Sequence, residues 1–155
     1  MKPIIFIISS IAFFYVQLAN ASNEALCKKL ETFVTSVKPD EIRTFEFHTT
    51  WGENFKDSPN PVLFAKRCNP NDYEPAKIVC EHLMGNGSAE FSSNNFKSAF
   101  LCLSPESEFA KDVSLYKADV SFSYGTEDRG SLINILFDED EKVGGMVLKI
   151  EVDGY

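Results

Sequence analysis

Two short stretches bring together residue types that do chemistry. His48-Thr49-Thr50-Trp51-Gly52-Glu53-Asn54 offers an imidazole, hydroxyls, an indole and a carboxylate. Asp138-Glu139-Asp140-Glu141 is an unbroken acidic run, closed shortly afterwards by Gly144-Gly145. A carboxylate beside an aromatic platform suits a sugar-binding cleft, and a second carboxylate would complete a glycoside-hydrolysing pair. Glu53 with another acid is therefore the alternative, enzymatic reading: a hydrolase of cell-wall glycan. Against it, Phe45, Phe47, Thr49 and Trp51 alternate with Thr44, Glu46, His48 and Thr50. That alternation predicts Trp51 in the core and His48 on a polar surface. The second histidine, His82, falls opposite the apolar face of a helix. No G-x-S-x-G elbow frames any serine, so no catalytic residue is assigned.

The acidic run has two readings of its own. A calcium loop starting at Asp138 would need an oxygen ligand at position five, glycine at six and glutamate at twelve. Lys142, Val143 and Lys149 stand there instead. The run reads as a solvated hairpin turn, and no metal is assigned. Gly85-Asn86-Gly87-Ser88 follows a helix rather than opening one after a strand, so it is a helix terminus and linker, not a phosphate cradle, and no cofactor is assigned. Its Asn-Gly-Ser triplet is a glycosylation acceptor pattern should the source be a eukaryote.

These residues need elements to position them. Residues 1–21 are read as a signal peptide. Lys2 precedes the apolar run Ile4 to Leu18, and Ala19-Asn20-Ala21 has the small-x-small form of a cleavage site. The run is shorter than the ~20 residues a membrane span needs. Processing near Ala21 would leave residues 22–155 as one exported domain, periplasmic or secreted, with the periplasm favoured. Cys27, Cys68, Cys80 and Cys102 then read as two disulfides, with three connectivities open.

Leu26, Leu30, Phe33, Val34 and Val37 make one helical stripe, ended by Pro39. Strands follow at 43–51 and 62–68. Pro75 opens a second helix with Ala76, Val79, Cys80 and Leu83 on its inner face, and Ser93 is the expected N-cap of a third. Segments 117–124, 131–137 and 145–153 form an antiparallel meander. The second of them, apolar on both sides, is expected to be a central strand. The architecture is thus α+β, one domain, with an antiparallel sheet of about five strands, about three helices on one face, and disulfide pins.

Charge narrows the partner. The chain carries a formal net charge of −8, and removing the leader deletes Lys2 but no acid, making it one unit more negative. Such a chain repels nucleic-acid phosphates and anionic lipid and attracts basic proteins. The expected function is therefore binding: an exported inhibitor or immunity protein that blocks a basic toxin or cell-wall hydrolase. The candidate contacts are the hairpin acids Glu127, Asp128, Asp138, Glu139 and Asp140, with Arg129 pairing to order the first tip. A structural accessory role in an envelope complex is a further alternative, and it predicts an exposed apolar patch near Leu132 and Leu136.

Overall fold

A computed structural model describes residues 23–110, 113–126 and 129–155. The expected leader and two of the candidate acids, Glu127 and Asp128, lie outside these. The order of elements is α1 (23–36), β1 (Ile42–Trp51), β2 (Phe64–Asn69), α2 (Glu74–Asn86), α3 (Ser93–Leu103), β3 (Ala118–Gly125), β4 (Gly130–Glu139) and β5 (Met146–Gly154). The five strands form one antiparallel sheet in the order β2-β1-β5-β4-β3. The β3-β4-β5 meander is joined to the β1-β2 hairpin through β1 against β5. No helix among the described residues is long and apolar enough to cross a membrane.

Strand alternation divides the sheet into a dry face and a wet one. Phe45 and Phe47 of β1, Ile133, Ile135 and Phe137 of β4, and Leu148, Ile150 and Val152 of β5 all point to the helices and are buried. The α1 stripe meets them, with Phe33 edge-on to Phe45 at 5.3 Å between ring centroids. Phe96 of α3 extends the layer toward Phe137. Burying each of these large side chains contributes ~1.5–3 kcal/mol of transfer free energy.

Both disulfides tie helices down. Cys27 bonds Cys102, linking α1 to α3, and Cys68 bonds Cys80, linking edge strand β2 to α2. Cys27 lies at the edge of the α1 apolar stripe, which is why it reaches the neighbouring helix.

Several local expectations change. Trp51 is 45% exposed rather than in the core. Its alternation is intact, but β5 begins at Met146 opposite Thr49, so β1 overruns that neighbour and Trp51 is flanked by a strand on the β2 side alone, at Phe64. His48 is on the polar face as expected, yet only 4% exposed. The 52–61 segment doubles back over that face: Arg67, the cross-strand partner of His48, stacks on the buried Phe55 ring at 4.6 Å and forms a two-pronged ion pair with Asp57, both contacts 2.8 Å.

Strand β4 is an inner strand as expected, paired with β3 on one side and β5 on the other, but it is covered on one face only. The outer face of β4 is open, leaving Leu132 exposed and Leu136 half-buried. Asn134 separates those two leucines, and Asp153 and Lys149 flank them across β5, so they make no continuous apolar patch. At α3, the N-cap is Ser92, with helical backbone and no side-chain cap. Ser93 is already helical, and the polar anchoring falls to buried Asn95, whose amide exchanges hydrogen bonds with both the N–H and the carbonyl of Ser88.

Candidate partner-binding cleft

Three segments distant in sequence converge at one end of the sheet: the end of β1 with residues 52–56, the α2–α3 linker at 89–92, and the β4–β5 turn at 139–146. They enclose a cleft of about 500 Å³. Its walls carry Glu53, Glu90, Glu139, Asp140 and Glu141, against one lysine, Lys56. The Lys56 ammonium donates to the Glu141 carbonyl, which helps to hold the loop to the turn.

Each segment is held for an identifiable reason. In the turn, Asp140 Oδ1 accepts from the amides of Lys142 (2.8 Å) and Val143 (2.9 Å), an Asx turn of the kind aspartate favours. Gly144 and Gly145 follow with φ of +90° and +75°. A side chain at Gly145 would put Cβ 2.3 Å from the Thr49 carbonyl, so only glycine lets the turn press against β1. The Lys56 amide donates to the Val143 carbonyl at 2.8 Å, fastening the 52–61 loop to this turn. Asn54 closes the same loop by accepting from the Val62 amide at 2.9 Å. The linker is fixed by the Ser88–Asn95 exchange.

Beside the acids stands an apolar shoulder. Trp51 and Phe64 stack at 6.2 Å with ring planes 19° apart, and Val62, Leu63 and Phe64 are exposed alongside. Phe64 opens the edge strand β2, with Val62 and Leu63 leading into it, and β2 has no partner on its outer side among the described residues.

Beneath the turn lies His48. Its Nδ1 is 3.4 Å from Asp140 Oδ2 and its Nε2 is 3.5 Å from Glu46 Oε2, and the buried Nδ1 makes no hydrogen bond. Partial burial pushes the Asp140 carboxyl up, but the Val143 and Lys142 amides together with His48 and Lys142 outweigh it. The net result is a carboxyl held below its ordinary range. That direction keeps Asp140 a carboxylate and is the wrong one for a general acid.

The candidate acids take different positions. Glu139 lines the cleft. Asp140 forms part of its wall but is turned inward. Asp138 projects from the wet face and pairs with Lys117, whose hydrogen bond holds the Asp138 carboxyl below the usual range. Arg129 is exposed and lines a separate cavity of about 350 Å³ with Tyr124 and Tyr155, where burial, with Glu31 nearby, pushes the Tyr124 phenol up. Trp51 and Glu53 do share a concave site, but His48 is not in its lining. His82 sits elsewhere, partly buried on α2, and is held down by burial and by Lys29.

Sequence reasoning did not pick out Glu90 or Glu141 for this site. Glu141 was visible as the last member of the acidic run; Glu90, alone in a linker, gave no signal. No known family model, curated protein or solved structure matches the chain.

Proposed function

We propose that this chain is an exported binding module, an inhibitor or immunity protein, that grips a basic protein through the acid-lined cleft and its aromatic shoulder. The observation that carries the reading is the exposed Trp51–Phe64 stack at the mouth of a cleft that sets five carboxylates against one lysine. Interfaces concentrate their energy in aromatic anchors ringed by polar groups. A guanidinium or ammonium entering here would meet carboxylates and an indole face together, and cations over tryptophan gain ~0.5–2 kcal/mol. The two disulfides are compatible with an oxidising, exported setting. Within the reading, Glu139 does the work first assigned to the hairpin tips, helped by Glu53, Glu90 and Glu141. No catalytic role is assigned.

One observation favours a second reading. Trp51 and Glu53 occupy one cleft, as the glycan-hydrolase alternative requires, with Glu139 and Glu141 as candidate second acids.

The experiment uses the chain's single tryptophan, which reports on the cleft mouth without labelling. Oxidised protein is titrated with a basic cell-wall lysozyme and, separately, with an oligo-arginine peptide and an N-acetylglucosamine oligomer, following Trp51 emission. The binding reading expects saturable changes with the cationic probes that weaken as salt rises. A response to the sugar alone, with turnover lost in Glu53→Gln, would replace it with the glycan reading.

A further inference from the structure

The sequence Asn86-Gly87-Ser88 lies where α2 ends, and nothing in the cleft reading uses its asparagine. Asn86 is the last helical residue and is exposed. The chain leaves the helix there, with Gly87 extended at φ −64°, ψ 145°. Neighbouring space is open: a Cβ built at Gly85 meets nothing within 4 Å, and Met84 is exposed. The middle position is restricted to glycine by the fold, since a Cβ there would come within 2.6 Å of the Leu83 carbonyl and 2.8 Å of the Phe47 ring. The triplet therefore presents asparagine at the exposed helix end, with Ser88 half-buried two residues on and its hydroxyl accepting from the Phe91 amide at 2.9 Å, and it meets the Asn-x-Ser requirement with x not proline.

We propose that Asn86 is an N-glycosylation acceptor. The donor class is an oligosaccharide carried on a lipid pyrophosphate. Asn86 Nδ2 forms a bond to the anomeric carbon and loses one proton. The bond from that carbon to the pyrophosphate oxygen breaks, and the lipid pyrophosphate leaves with the electron pair. The folded structure accommodates the product. Asn86 Nδ2 donates one hydrogen bond, to the His82 carbonyl at 3.0 Å, and an amide carries two hydrogens. Substitution of one leaves the other to keep that bond, with the glycan directed to solvent. Both disulfides place the chain's maturation in an oxidising compartment, where such transfer takes place.

The test is secretion of the full chain from a eukaryotic cell, followed by peptide mass mapping before and after treatment with a glycan-releasing amidase. The expected result is a glycan on the peptide containing residue 86, released with conversion of that asparagine to aspartate. It should be absent in Asn86→Gln and Ser88→Ala but kept in Ser88→Thr, which preserves the hydroxyl. The chain's other acceptor triplet, Asn20-Ala21-Ser22, straddles the expected cleavage site and is distinguished by its own peptide. Secreted, disulfide-bonded wild type with an unmodified residue-86 peptide overturns the proposal. So does a glycan that survives on Ser88→Ala.

Discussion

Asp140 performs two tasks with one carboxylate. Oδ1 caps the turn through the Lys142 and Val143 amides, while Oδ2 faces the imidazole of buried His48. Replacing it with alanine removes both and should lower stability by ~1–2 kcal/mol, measured by denaturant unfolding at neutral pH. Asparagine separates the tasks, because its amide oxygen still accepts the two backbone bonds but carries no charge. Since the Asp140 carboxyl is depressed in the folded state, its contribution is present above its unfolded value of about 3.9 and is lost as pH falls through the lower folded value. Asp140→Asn should therefore have a shallower loss of stability on the acid side. An acid limb as steep as the wild type's would mean that other carboxylates govern it. The same residues show what a local pattern misses. Alternation placed His48 on the correct face of β1, but the β4–β5 turn brings Asp140 against the imidazole and the 52–61 loop packs on its cross-strand neighbour Arg67, and such returns leave no periodicity in sequence.

At the scale of elements, the helices and the meander were legible because each buries a face whose period is local: 3.6 residues for α1, two for β3 and β5. Which meander strand pairs with β1, and which faces are covered, was not. An apolar run such as 131–137 looks the same whether its outer side meets another layer or water, and β4 turned out open there. Disulfide pairing was equally hidden, since spacing does not say which helix lies beside α1.

The observed pairing carries its own prediction. Cys27–Cys102 closes a loop with a sequence separation of 75 and Cys68–Cys80 one of 12. Loop-closure entropy gives about 4.5 and 3 kcal/mol respectively. Paired replacement by serine should therefore lower the unfolding free energy more for Cys27/Cys102. The reverse order would show that native packing, not denatured-state entropy, sets the difference. Turn geometry supplies another: Gly145→Ala combines a left-handed backbone with a clash against the Thr49 carbonyl. It should cost about 1–3 kcal/mol and loosen the wall that Asp140 shares with His48. Gly85→Ala, in open space on α2, should not destabilise and serves as the control.

On the scale of the whole molecule, composition foretold an acidic surface but not its arrangement. The cleft is assembled from residues near 51–56, 89–92 and 139–146, so no window of sequence contains it. The formal charge of −8 admits two explanations for any attraction to a basic partner: the field of the entire surface, or the local field of the cleft. Charge reversal at different sites distinguishes them. Glu53→Lys and Glu90→Lys change net charge by the same amount as Glu108→Lys, but Glu108 is exposed and outside the cleft lining. At low salt, the cleft variants should slow association with a basic lysozyme by about tenfold or more, read from Trp51 emission in stopped flow. Glu108→Lys should stay near the wild-type rate, and all three should unfold at similar denaturant concentrations because none of the acids is buried. As salt approaches ~1 M, where screening acts within about 3 Å, the three should converge. Equal slowing by all three variants at low salt would locate the attraction in total charge and remove the cleft from the account. Slowing confined to the cleft variants would tie recognition to the place where Trp51 and Phe64 stand ready to make contact.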